Sequence, residues 1–581
     1  MPRFRPAAVC LLAILLTATG CGVFGSSENG PPQPVKGGTL HVVLQAPLDL
    51  LDPQRNQAAI EADVLRLTTR TLTTYRSAPG AAASEIVPDL ATDTGRPSNG
   101  NRTWAFTLKP GLKWENGEPI VCSQIKYGIE RHYSVLVNDG PTYPNSYLID
   151  NKTKYEGPWV GTNNDGKGLE SVSCTDERTI VFSLKRPVGD FGYTVAMSVW
   201  APVLPEKDTK VDYAQRPYSN GPYKIESRDD KQLTMVRNKF WAQESDTVRK
   251  AYPDKIVFEY QADDGGAVTN KMIENQGTAR DSIMLDANVA PNFLQQVIND
   301  PELMGRAITG PTGGTRFLAI NTRLIPNPAC RQALIYAFNL RKYRAVNGGA
   351  VTGDYASTII PPDVKAHKDF DLYGTLSNPE GDPARARTIL EQQRGSAQQC
   401  PDVIKLAFPD TAVRRRLANT IVEAYQLAGI QVQAVPLTPG SAYFGEQGIG
   451  NIASDYHLML VGWIPDWANG SAIIPPLFDG RSIPALDPVT GRTKGNINWS
   501  LLNDPKINEQ IDTALAETDT TRQFAAWGAL DEQIQQLAVT IPILYEKGIR
   551  LAGSNVAGGF LHPAFGLPDL CALGLASTSA A

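Results

Sequence analysis

Apolar and polar positions alternate along this chain with two distinct periods. His41 to Leu44 is apolar and β-rich, and Asp52-Pro53 downstream supplies a turn signal. Thr103 to Leu108 (TWAFTL) and Thr179 to Leu184 (TIVFSL) have the aromatic and β-branched content of strands, the second following the turn-like Asp176-Glu177-Arg178. The second half changes to a helical period. After Asp504-Pro505, Ile507, Ile511 and Leu515 recur every four residues and predict one buried stripe. Asn327-Pro328 and Asp382-Pro383 open helices in the same way, with a capping side chain followed by Pro at the first helical position. Val413, Leu417, Ile421 and Ala424 mark a further helix that Gly429 would end, and Ile430 to Val435 then alternates like a strand. Helix followed by strand in this order predicts α/β construction. The tail after Leu575 is small and polar and is expected to fray.

The N-terminus obeys a different rule. Arg3 and Arg5 precede an apolar stretch from Ala7 to about Thr17. A stable membrane-spanning helix needs ~20 apolar residues, so this stretch is too short and fits the core of a secretory signal. It ends in Ala18-Thr19-Gly20-Cys21, which resembles a bacterial lipobox, although that pattern prefers Leu where Ala18 stands. The reading is a signal peptide over 1–20 and acylation of Cys21. The run from Gly25 to Pro32 is too polar to bury a core, so 21–36 is expected to be a flexible tether. Folding is expected to begin at Gly37.

With 581 residues the chain has room for more than one domain. The net charge of −5 argues against a nucleic-acid partner. Arg414-Arg415-Arg416, the one basic cluster, is read as the solvated face of its helix. Once Cys10 leaves with the signal and Cys21 carries lipid, Cys122, Cys174, Cys330, Cys400 and Cys571 remain. Their number is odd, so at least one stays free or pairs between chains. The five histidines are scattered, and neither HExxH nor CxxC occurs, so no metal site or cofactor is expected. No GxSxG elbow and no Walker phosphate loop is present. Gly310 to Thr315 is Gly-rich but lacks the Lys such a loop requires, and reads as a flexible connection. A secreted hydrolase is therefore the weaker reading, which turnover of a peptide or glycoside would support.

Several motifs, in order, resemble the family 5 extracellular solute-binding proteins of bacterial ABC importers, the oligopeptide, dipeptide and nickel-binding group. Gly37-Gly38-Thr39-Leu40 and Leu51-Asp52-Pro53 are similar to its opening strand and turn. Pro88-Asp89-Leu90-Ala91, Thr103 to Ile120 and Tyr127 to Arg131 are similar to its signature region. Ser219 to Lys224, Arg237 to Trp241, Phe317 to Asn321 with Arg331 to Leu334, and Asp382 to Leu390 follow in register. Gly462-Trp463-Ile464-Pro465-Asp466-Trp467 is similar to the ligand-pocket loop.

The resemblance implies an α/β, two-lobed periplasmic-binding-protein-like fold that encloses its ligand by hinge closure. By analogy, lobe I takes 37–70, 200–310 and 540–575. An added domain takes 71–199 and lobe II takes 311–539, with the hinge near 310–316 and 537–545. On that division Cys122 and Cys174 share the added domain and Cys330 and Cys400 share lobe II. Those pairs are the expectation, though spacing alone does not fix connectivity. In peptide-binding members the loop reads Trp-x-x-Asp, and its Asp holds the peptide's N-terminal ammonium. That role falls here on Asp466, whose bland alternative is a cap after Pro465. Trp463 and Trp467 would wall the pocket or pack the core. Tyr143 and Tyr147 lie in a segment resembling the one that reaches the ligand. Asn498 and Trp499 resemble a loop near the second-lobe pocket, or are structural. The implied function is an extracytoplasmic, lipid-anchored receptor, monomeric by family expectation, that delivers oligopeptides or dipeptides to an ABC permease and ATPase. Open alternatives are a non-peptide solute (oligosaccharide, nickel chelate, haem or opine) and a sensory receptor.

Overall fold

The computed structural model describes residues 32–577 apart from 57, 150–153, 161–167, 262–264, 397–398 and 494. The signal segment, Cys21 and the tether as far as residue 31 lie outside the described residues. Order begins earlier than expected. Pro34 and Val35 pair antiparallel with Ala576 and Leu575, so the strand extends one residue into the tail expected to fray. Among the described residues no helix is long and apolar enough to cross a membrane.

Three sheets organise the chain. The first lobe is built on five strands in the order Ser282–Met284, Thr39–Leu44, Lys255–Tyr260, Gln232–Arg237 and Tyr223–Arg228. Thr39–Leu44 runs parallel to both of its neighbours. Its buried Leu40, Val42 and Leu44 share one core with Ile256, Phe258 and Ile283. The second lobe is built on six strands, Gly353–Tyr355, Thr540–Leu551, Ala307–Ile320, Leu458–Trp463, Val403–Pro409 and Gln431–Leu437. Leu318 and Ile320 enter one core and Phe317 and Ala319 the other, so helices cover both faces of this sheet. A four-stranded antiparallel sheet, Arg96–Ser98, Thr103–Thr107, Thr179–Ser183 and Val172–Cys174, forms the added domain.

Ala307–Ile320 and Thr540–Leu551 pair along most of their length and carry the chain between lobes. Their register shifts between Pro311 and Thr315. The Gly-rich stretch read as a flexible connection therefore lies inside a strand, as a bulge. Gly313 is needed there. Its φ is +70°, and a Cβ would meet the Pro563 carbonyl oxygen at 2.2 Å.

The Asn/Asp-Pro signals open helices Pro328–Ala337, Pro383–Gln392 and Pro505–Ala516. Asn327 accepts from the Ala329 amide, Asp382 from the Arg385 amide, and Asp504 from Lys506 and Ile507. Asp504→Ala should lower stability by about 1 kcal/mol in urea unfolding, the usual worth of an N-cap. In helix Ala412–Leu427, Arg415 and Arg416 are exposed, but Arg414 is half-buried and faces Arg316 and Tyr343. That corrects the reading of the basic run as wholly solvated: position 414 lies next to Val413 on the helix's inner edge.

Cys122 is bonded to Cys174 and Cys330 to Cys400, while Cys571 is buried and unpaired. Buried ion pairs fasten the added domain to the first lobe. Arg131 grips Asp52 at 2.9 Å and Asp208 at 3.0 Å. Asp89 lies between Arg70 at 2.7 Å and Arg249 at 2.9 Å.

Candidate functional site

The lobes meet around a cavity of about 250 Å³. Its first-lobe wall comes from Ala59 and Ala62 on helix Ala59–Leu65, and from Thr69, Thr71 and Thr74 just beyond. Met197 and Ser198 of the added domain cover one side, and Ala564 and Phe565 another. The second lobe contributes Ile464, Pro465 and Asp466. A smaller cavity of about 160 Å³ lies beside the Cys330–Cys400 bond, in the second lobe alone.

Asp466 reaches the cavity because strand Leu458–Trp463, central in the six-stranded sheet, ends there. Pro465 removes an amide donor and the chain leaves the ladder. Beyond it the loop is fixed from both ends. The Trp463 indole donates to the Ala472 carbonyl oxygen at 2.8 Å, and the Asn469 side chain accepts from the Gly470 amide at 2.7 Å. Gly470 packs so closely on Trp527 that a Cβ would lie 2.4 Å from that residue's Cβ.

The Asp466 side chain is open to the cavity, and the Tyr143 hydroxyl donates to it from the added domain. Burial pushes its carboxyl above the usual range, and the Tyr143 hydrogen bond draws it partly back. Burial and the Asp466 charge push the Tyr143 phenol well up, so it remains a donor. Tyr147 stacks behind Tyr143 at 6.0 Å between ring centroids and is itself buried.

The remaining expected residues lie behind this pair. Trp467 is buried, meets Tyr143 edge-on at 5.0 Å, and donates to Asp190 and Ser471. Trp463 is half-buried and packs against Trp499 at 6.3 Å. Trp499 is buried between Phe317 and Phe444. Asn498 is fully buried, donates to the Leu502 carbonyl oxygen at 2.9 Å and accepts from Ser500 at 3.0 Å. Trp499 and Asn498 thus hold the second lobe's own loops, and neither lines the cavity.

Sequence reasoning did not find Thr69, Thr71, Ser198, Phe565 or Asp190. The first four are ordinary residues that converge from separate segments. Asp190 looks like a helix cap in the sequence. Among the described residues no group of His, Cys, Asp and Glu is arranged to hold a metal ion.

Comparison with known proteins places this geometry. The chain is similar to the solved clavulanic acid biosynthesis oligopeptide binding protein 2, at 30% identity and a TM-score of 0.83 over 94% of this chain and 97% of that one. It is 23% identical to the periplasmic murein peptide-binding protein MppA of Escherichia coli K12, over 80% of this chain and 81% of the relative. It is 22% identical to the dipeptide-binding protein DppE of Bacillus subtilis, over 80% of each. The description "Bacterial extracellular solute-binding proteins, family 5 Middle" matches residues 85–484. With most of its length matched and a two-lobed α/β frame closing on one cavity, this chain belongs to the family 5 bacterial extracellular solute-binding proteins.

Proposed function

We propose that the protein is the extracytoplasmic receptor of an ABC importer and captures short peptides between its lobes for a membrane permease. The observation that carries this is Asp466. Its carboxylate faces the enclosed cavity, and a neutral hydroxyl from the facing domain is its hydrogen-bond partner. Such a group favours a ligand cation strongly, and a peptide's terminal ammonium offers three donors for a charge-assisted pair. The threonine and serine hydroxyls opposite suit a ligand backbone, and the apolar walls suit small side chains. The names of the relatives, which concern oligopeptides, murein peptides and dipeptides, support the same ligand class. The protein acts by binding and handing over, not by turnover. On this reading lobe I (37–70, 200–310, 540–575) with its added domain (71–199) closes on lobe II (311–539) about the paired long strands. Cys21 carries the lipid that anchors the receptor outside the cell membrane, and one copy suffices for the site.

Mass spectrometry tests both parts. Native spectra of protein lacking the first 21 residues should show short peptides with free N-termini, released on denaturation. Intact spectra of the full chain from membranes should start at an acylated Cys21. A co-purified sugar or metal chelate would sink the peptide reading, and an unmodified Cys21 the anchor.

A further inference from the structure

Asp190 stands just before the short helix Phe191–Thr194, where an Asp ordinarily caps the helix with its side chain. Here it makes no such cap. The side chain turns to the opposite lobe. Its Oδ2 accepts from the Trp467 indole at 3.2 Å, from Asn469 Nδ2 at 2.8 Å and from the Ser471 hydroxyl. All three donors belong to the loop that presents Asp466. The carboxylate is buried, and burial pushes its carboxyl up against the pull of those donors. Its other oxygen, Oδ1, has no hydrogen-bond partner. Neighbouring contacts repeat the pattern. The Gly189 amide donates to the Leu515 carbonyl oxygen at 3.1 Å, and the Ala468 amide donates to the Tyr75 hydroxyl at 3.1 Å. A Cβ on Gly189 would lie 2.1 Å from the Glu517 carbonyl oxygen, so the approach leaves no room for a side chain.

We propose that Asp190 is a positioning residue that latches the closed receptor, receiving the second-lobe loop 467–471 and so fixing Asp466 against the ligand. The proposal rests on the cavity being the ligand site. Three neutral donors on one buried carboxylate nearly offset the dehydration of its charge without a countercharge. A latch balanced in this way leaves closed and open forms both populated when the cleft is empty, and a ligand's own contacts shift the balance to the closed form.

A latch formed after encounter slows release and leaves capture alone. The test is stopped-flow tryptophan fluorescence with tri-alanine as the probe. Asp190→Ala should raise the off-rate about 30-fold, with the on-rate within about 3-fold, since three hydrogen bonds to a charged group are lost. Asp190→Asn, which keeps an acceptor at Oδ2, should recover most of the difference. An unchanged off-rate, or equal damage from both variants together with a fall in unliganded melting temperature, overturns the proposal. If tri-alanine does not bind the wild type, the peptide reading fails for that probe, and the latch is read without ligand. Fluorophores at the exposed positions Val135 and Leu427 then report lobe separation. Loss of the short-distance population in Asp190→Ala upholds the latch, and an unaltered distribution overturns it.

Discussion

Asp466→Ala weakens binding of a peptide with a free N-terminus by about 100-fold or more, measured by titration calorimetry with tri-alanine. The ammonium of such a ligand enters a cavity lined by both lobes, and closure of the lobes on the ligand withdraws it from bulk water. Removing the carboxylate leaves that charge without a partner, a loss of about 3 kcal/mol or more for a buried pair. The Tyr143 hydroxyl, which donates to Asp466, loses its acceptor at the same stroke. Asp466→Asn keeps the shape and an acceptor but not the charge, so it falls between wild type and Ala. N-acetyl tri-alanine provides the complementary change on the ligand. It binds weakly to the wild type and no worse to Asp466→Ala, because each change removes the same interaction. Acidification acts in the same direction. Binding needs the ionised carboxylate, and burial raises its pKa, so affinity starts to fall above the usual carboxylate range. Equal affinity for free and acetylated peptide would remove Asp466 from the amine site.

How far the sequence foretold this arrangement depends on whether the signal was local. The strands Thr103–Thr107 and Thr179–Ser183 and the three Pro-initiated helices were legible because period, cap and turn lie within a dozen residues. Asp466 was singled out through the resemblance of its loop, Trp463 to Asp466, to the family's Trp-x-x-Asp, a local feature of one loop. The first-lobe wall was not, since Thr69, Ser198 and Phe565 are brought together only by the fold. Asp190 and Asn469 are 279 positions apart, and no window reads such a distance. Arg414 misled because charge reports solubility, whereas the facing of a helix edge decides burial. The glycines at 310–314 misled differently. Glycine signals backbone freedom, and here the freedom admits a bulge and a close approach to Pro563 within a continuous strand.

His562 sets a second large effect, on stability against pH. It is fully buried beside the cavity wall, at 5.0 Å from the Phe565 ring and 6.1 Å from the Tyr75 ring. Its Nε2–H donates to the Arg76 carbonyl oxygen at 3.1 Å, and its Nδ1 accepts from the Ala564 amide at 3.3 Å. That pattern requires the neutral ring. Burial first, and then the Arg66 charge, push the imidazole down to about 4, against the opposing pull of Asp569. In the unfolded chain it titrates near its ordinary ~6.5. Between those values the unfolded state binds more protons, so stability rises with pH there and is lost as pH falls from about 6.5 to about 4. The integrated loss is about 3 kcal/mol. His562→Gln keeps a donor for Arg76 and does not titrate. The stability difference between wild type and this variant should therefore shrink by about 3 kcal/mol from pH 7 to pH 4 in urea unfolding. Subtraction cancels the other ionisable groups to the extent that the substitution leaves them in place. A difference that stays constant across that range would mean the ring is already solvated. Protonation also turns Nδ1 from acceptor to donor against the Ala564 amide. Ala564 and Phe565 form one wall of the ligand cavity, so the acid that destabilises the fold also loosens the site.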